Sequence, residues 1–168
     1  MNDVKRYPKG DLIIRTQAMP ADTNQNGDIF GGWIMSQMDL AGGMLATEIA
    51  RGRIATVAVE AMTFHQPVKV GDAVCVHGEC TRIGNTSITI KLEVWIKPLL
   101  RSEHYDRHCV TEAVFTYVAI DDTGHPRPVP KDLAKTFLAI GITLLVILFP
   151  ISLYKTRVCG CCISDMVS

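Results

Sequence analysis

The sequence predicts an α+β domain: one long helix packed on an antiparallel sheet, with a hydrophobic segment at the C-terminus. Three observations predict it. Apolar residues recur at helical spacing between Gly31 and about Arg51, at Ile34, Met38, Ala41, Leu45 and Ile49. Period-two alternation follows in four successive stretches. The connections between those stretches are short and turn-rich, which suits hairpins and not βαβ crossovers. One helix against one antiparallel sheet is a stable layer architecture.

Leu12-Ile13-Ile14-Arg15-Thr16 is the first strand candidate. Met19 to Phe30 is rich in turn formers: Pro20, Asp22, Asn24, Asn26, Gly27 and Asp28. The helix opens at Gly31-Gly32 and stops before Gly52. Gly42 and Gly43 lie inside it, each costing about 1 kcal/mol against alanine. Two such costs point to close approach by another backbone or a ligand. Thr56 to Phe64 is the next strand, closed by His65-Gln66-Pro67 at the strand end. Val68-Lys69-Val70-Gly71-Asp72 turns the chain into Ala73 to Ile83, and Gly84-Asn85 reverses it. Ile88, Ile90, Leu92, Val94 and Ile96 then alternate with Thr89, Lys91, Glu93, Trp95 and Lys97. That pattern buries one face and leaves the other polar or amphipathic. A last strand runs from about His108 to Ile120. No internal repeat or low-complexity tract is present.

The chain has 168 residues, enough for one domain with a core and too few for two large ones. Lys plus Arg number 17 and Asp plus Glu number 17, so the formal charge is zero. Nothing is basic enough for a nucleic-acid partner. The first ten residues are polar, without the apolar core of a secretory signal, which argues for a cytoplasmic protein. Cys75, Cys80 and Cys109 read as small strand residues in a reducing compartment. No cysteine or histidine spacing suggests a zinc site. His104-Tyr105-Asp106-Arg107-His108 resembles a metal site only faintly and reads as a solvated loop.

Residues 136–154 contain no charge. As a helix they span roughly 28 Å, close to a bilayer's hydrocarbon thickness. A membrane anchor is one reading, with Cys159, Cys161 and Cys162 as lipid-attachment candidates. A helix buried in an oligomer, or an altered C-terminus unrelated to function, are the others. The chain thus divides into a flexible N-terminus (1–10), a folded domain (11–130) and a hydrophobic tail (131–168).

The chemistry concentrates between Asp22 and Asp39. A polar turn ends in Gly31-Gly32, which open a helix whose backbone amides have no helical acceptor. The helix dipole adds positive potential there. One turn to either side of Asp39 lie Met35 and Gly43, so the carboxylate sits in an apolar stripe. Bare amides polarise a carbonyl, and such a carboxylate handles a proton or a water. Asp39 lies roughly 11 Å along the helix from the glycine pair. One chain cannot easily join the two, and a second, antiparallel helix can. A site between subunits follows.

Met19-Pro20-Ala21-Asp22-Thr23-Asn24, Gly27-Asp28-Ile29-Phe30-Gly31-Gly32-Trp33-Ile34-Met35 and Met38-Asp39 resemble the hot-dog-fold acyl-CoA thioesterases, in their YciA-like branch. Ala55-Thr56-Val57-Ala58-Val59-Glu60 and Val68-Lys69-Val70-Gly71-Asp72 share the resemblance, which covers about residues 11 to 130. It implies a strongly curved antiparallel sheet wrapped around a central helix. It also implies a homo-oligomer, a dimer or trimer of dimers, that hydrolyses acyl-CoA to a carboxylic acid and CoA in fatty acid metabolism. No metal or redox cofactor is implied. The resemblance makes Asp39 the catalytic carboxylate, as general base or nucleophile. It makes Asn24 the partner amide and Gly31 and Gly32 the oxyanion donors.

The CoA phosphates call for cations and free amides. Arg82 with the turn Gly84, Asn85, Thr86 and Ser87 is the first candidate, and Lys69 and Lys91 are alternatives. A dehydratase on the same fold would typically add a histidine, and none occurs between Asn24 and Arg51. The remaining alternative is a non-catalytic, membrane-tethered acyl-CoA-binding module.

Overall fold

The computed structural model describes residues 6–99 and 106–131. The membrane-helix expectation for 136–154, Cys159, Cys161, Cys162 and His104 all lie outside the described residues. The strands are β1 (Asp11–Gln17), β2 (Ile54–Phe64), β3 (Ala73–Ile83), β4 (Ser87–Lys97) and β5 (His108–Ala119). A 3-10 turn, Pro20–Asp22, follows β1, and the α-helix α1 spans Gly31–Ala50. All pairings are antiparallel, in the order β1-β3-β4-β5-β2. The helix touches every strand, so the sheet wraps it.

Ile34, Met38, Ala41 and Ile49 are buried on the expected face of α1. They meet Ile88, Ile90, Leu92, Val94 and Ile96 of β4 and Phe115 and Tyr117 of β5 in one core. The helix ends at Ala50, two residues before Gly52, because Arg51 itself takes the left-handed conformation (φ 49°). The Gly52 amide then reaches back to the Thr47 carbonyl at 3.3 Å. Cys75 and Cys80 lie on β3 and Cys109 on β5.

The outer face of β4 corrects the expected polar surface. Glu93 and Trp95 are 1% and 2% exposed. The N-terminal segment covers them. Arg6 donates to Glu93 at 2.9 Å and to Glu112 at 3.1 Å, and its guanidinium lies 5.8 Å from the Trp95 ring centroid. The Lys9 amide and the Trp95 indole also donate to Glu93, at 3.3 and 3.0 Å. Arg6 and Lys9, expected within a flexible terminus, are therefore bonded to the sheet. Gly10 (φ 74°) allows this approach, since a Cβ there would lie 2.2 Å from the Gly78 carbonyl oxygen.

β2 is an edge strand exposed on both faces. Its Val57, Val59 and Phe64 stand in solvent in the single protomer, as do Met35, Leu40 and Met44 of the helix. Among the described residues, no helix is long and apolar enough to cross a membrane.

Candidate active site

The turn before the helix is built around Asn24. Thr23 and Ile29 form an isolated antiparallel bridge. Within it the Asn24 Oδ1 accepts from the Asn26 and Asp28 amides at 2.9 and 3.2 Å. Gly27 (φ 78°) closes the reversal, donating to the Asn24 carbonyl at 3.0 Å. The Phe30 amide is anchored on the Asp22 carbonyl at 2.9 Å, and the Ile29 amide on Val68 at 3.2 Å. The side-chain oxygen of Asn24 thus holds the turn.

Gly31 and Gly32 precede the first helical bonds, which Trp33 and Ile34 make to the Phe30 carbonyl. A Cβ on Gly32 would lie 2.3 Å from the Phe30 ring, and one on Gly31 would lie 3.4 Å from the Phe64 ring. The absent side chains let two aromatic rings flank the helix start. Gly31, Phe64, His65 and Pro67 line one hollow there.

Asp39 lies elsewhere. It shares a second hollow, of about 530 Å³, with Gly43, Met44, Thr47, Ile54 and Thr56. Thr56 donates its hydroxyl to Asp39 Oδ1 at 2.7 Å. The buried Tyr117 hydroxyl lies 3.3 Å from the Asp39 carbonyl oxygen and 3.5 Å from Oδ1. Burial, then the Asp39 charge and the bond to it, push the Tyr117 phenol well above its ordinary value. It remains a proton donor at any working pH.

Within one protomer the expected site residues therefore form two groups. Asn24, Gly31 and Gly32 gather at the Phe64 end of β2. Asp39 stands at the Thr56 end, about 12 Å along the helix. The two helix glycines also divide. A Cβ on Gly42 would meet the Tyr117 hydroxyl at 2.1 Å, so its close neighbour is a side chain and not a backbone or ligand. A Cβ on Gly43 would meet nothing nearer than Ile54 Cδ1 at 3.9 Å.

The CoA candidates also separate. Lys69 is ion-paired with Asp28, beside the Asn24 turn. Arg82 and the Gly84–Ser87 turn sit at the Asp39 end. Ser87 pairs with Val118 of β5, and Tyr117 next to it pairs with Thr56. The turn is closed by the Gly84 amide on the Ser87 carbonyl at 2.7 Å. The Asn85 carbonyl accepts from Val129 at 2.8 Å. Thr56 and Tyr117 are site neighbours that the sequence did not single out. Thr56 lies within a stretch that carried the resemblance, but Tyr117 gives no local signal.

A helix cupped by a curved antiparallel sheet, with bare amides at its start and a carboxylate at mid-length, is the hot-dog arrangement. A family model for the thioesterase superfamily matches residues 26–102. The acyl-CoA thioester hydrolase YciA of Escherichia coli K12 is 55% identical over 132 residues, covering 79% of this chain and 100% of that protein. A solved hexameric broad-specificity acyl-coenzyme A thioesterase superposes with a TM-score of 0.77 at 52% identity, over 83% of this chain and 97% of its own. The hexameric thioesterase of Yersinia pestis gives 0.69 at 56% identity, over 74% and 99%. The chain belongs to the thioesterase superfamily, in its YciA-like branch of acyl-CoA thioester hydrolases.

Proposed function

We propose that this protein hydrolyses acyl-CoA thioesters to a carboxylic acid and free CoA at a site shared by two subunits. The observation that carries the shared site is the separation of Asp39 from Gly31 along α1, beside an uncovered β2 edge. Two β2 strands paired antiparallel near Glu60 would set Thr56 opposite the partner subunit's Phe64. Asp39 of one chain then faces the helix start of the other. The exposed Val57, Val59, Leu40 and Met44 would be covered by the same pairing. The protein is accordingly a homo-oligomer, a dimer or trimer of dimers. The two hexameric neighbours favour the latter.

In this arrangement the Gly31 and Gly32 amides and the Asn24 amide nitrogen hold the thioester oxygen as it gains charge. One such donor is worth about 3 kcal/mol. Asp39 either takes a proton from the attacking water or attacks the carbonyl itself. The C–S bond breaks and CoA departs as a thiolate, which needs little protonation. Thr56 orients the carboxylate. Arg82 with Gly84, Asn85, Thr86 and Ser87, and Lys69 at the other end, are the proposed contacts for the CoA phosphates. Nothing in the relatives favours a membrane-tethered, non-catalytic module, and we place the enzyme in the cytoplasm.

The test is thiol release from short, medium and long acyl-CoAs by wild type beside Asp39→Ala. Release that collapses in the variant supports the reading. Release that survives discards Asp39 as the reacting group. No release from any substrate by a folded oligomer discards the hydrolase.

A further inference from the structure

We propose that Tyr117 is a positioning residue for the Asp39 carboxylate, acting from the sheet through the gap that Gly42 leaves in the helix. The inference rests on the reading of Asp39 as the reacting carboxylate.

Thr56 and Tyr117 are direct cross-strand partners on β2 and β5. Both approach Asp39 from the sheet, Thr56 at 2.7 Å and Tyr117 at 3.3 Å from the carbonyl and 3.5 Å from Oδ1. Tyr117 is fully buried, so no bulk water replaces those acceptors. A buried hydroxyl keeps a protein partner, and both oxygens in reach belong to Asp39. Wherever its single proton points, it fixes that residue. The ring is held as well, stacked on Phe115 with centroids 6.2 Å apart.

Gly42 completes the device. Its missing Cβ would stand 2.1 Å from the hydroxyl and 2.9 Å from the ring carbon that bears it. Any other residue at 42 would displace the phenol from Asp39. Glycine is a poor helix residue, and here it seats one hydroxyl group beneath the carboxylate.

The test compares kcat and KM of full-length wild type, Tyr117→Phe, and Tyr117→Phe with Gly42→Ala. Tyr117→Phe is expected to lower kcat about tenfold at unchanged KM. Adding Gly42→Ala, whose methyl would still stand 2.9 Å from the ring carbon and 3.1 Å from Leu92 Cδ1, recovers no kcat. Wild-type kcat in Tyr117→Phe, or recovery of kcat by the added methyl, overturns the proposal. Should Tyr117→Phe fail to fold, fluorotyrosine at 117 keeps the shape and alters the donor, and kcat changes at unchanged KM. A wild-type kcat in that protein overturns the proposal. Asp39→Asn serves as control. If it stays inactive while Tyr117→Phe matches wild type, only this inference falls. If it is active, the reading of the site falls and this inference with it.

Discussion

Thr56 and Asp39 are joined by a 2.7 Å hydrogen bond that ties the mid-helix carboxylate to the edge strand. Both residues are exposed in the single protomer, so the bond contributes little to its stability. Its use is directional. It engages Oδ1 and leaves Oδ2 for a water or a carbonyl carbon. Thr56→Val keeps the shape and removes the donor. A hydrogen bond to a charged group is worth about 1.5–3 kcal/mol. We therefore expect a 10- to 100-fold loss in kcat, with a melting temperature close to wild type. A Thr56→Val enzyme at full kcat would remove Thr56 from the site.

Division of the site between subunits has its own signature. Asp39→Ala and Asn24→Ala proteins, each inactive alone, are unfolded together and refolded as a mixture. A two-fold interface gives mixed dimers, each with one site carrying both mutations and one carrying neither. Random assortment should restore about a quarter of wild-type activity. A site contained in one chain would restore none, whatever the mixing.

How much of this was legible in the sequence follows from the range of each signal. The β4 alternation identified its core face, since Ile88 to Ile96 repeat within one strand. The burial of Glu93 on the other face was not legible, because Arg6 lies 87 residues away. Nor was the strand order. β2 and β3 follow one another in sequence, yet they lie apart in the sheet, with β4 and β5 between them. The same distance hid Tyr117, which lies 78 residues from Asp39 and meets it only through the register of β5 beneath α1. Local signals did better. Gly31-Gly32 and Asp39 share one helix, and their axial separation could be read from residue count alone.

His77 makes stability depend on pH in a defined direction. Burial, and then the Arg107 charge, hold its imidazole below the ordinary 6.5, outweighing the Gly10 backbone and the carboxylates of Glu93 and Asp11. Its Nδ1 is buried without a hydrogen-bond partner. The unfolded chain therefore binds this proton more readily than the folded one. Stability is complete above about pH 6.5 and declines as the pH falls toward the folded value. His77→Leu removes the titrating group. Its melting temperature should stay flatter than wild type between about pH 7 and 5. Equal slopes in the two proteins would assign the dependence elsewhere.

The Glu93 cluster governs the more acidic range. Burial pushes the Glu93 carboxyl up, but the bonds from Trp95, Arg6 and the Lys9 amide outweigh it, so the group lies below 4.5. Lys91 and Arg6 likewise hold Glu112 below 4.5. Depressed carboxylates stabilise the fold above their unfolded value and lose that contribution as pH falls through the folded one. We expect a second decline in melting temperature below about pH 4.5. Glu93→Gln should reduce it while costing about 1–3 kcal/mol at neutral pH, toward the low end because Arg6 is partly in water. Activity at pH 7 should survive, since the cluster lies on the face of the sheet away from α1. Urea unfolding at two pH values measures both effects.

Gly42 and Gly43 are adjacent, and alanine should act on them in opposite directions. At 42 the new methyl would meet the Tyr117 hydroxyl at 2.1 Å and Leu92 Cδ1 at 3.1 Å, both in the buried core. Overpacking of this kind costs about 1–3 kcal/mol, enough to outweigh the gain of about 1 kcal/mol in helix propensity. At 43 the methyl would find only Ile54 Cδ1, at 3.9 Å, an ordinary contact. The propensity gain then stands alone, and Gly43→Ala should raise the melting temperature by several degrees. Two thermal melts decide the matter. A stabilised Gly42→Ala protein would show that the hydroxyl is free to move. A destabilised Gly43→Ala protein would mean that a partner subunit fills the hollow beside Asp39, and that Gly43 is small because an interface requires it.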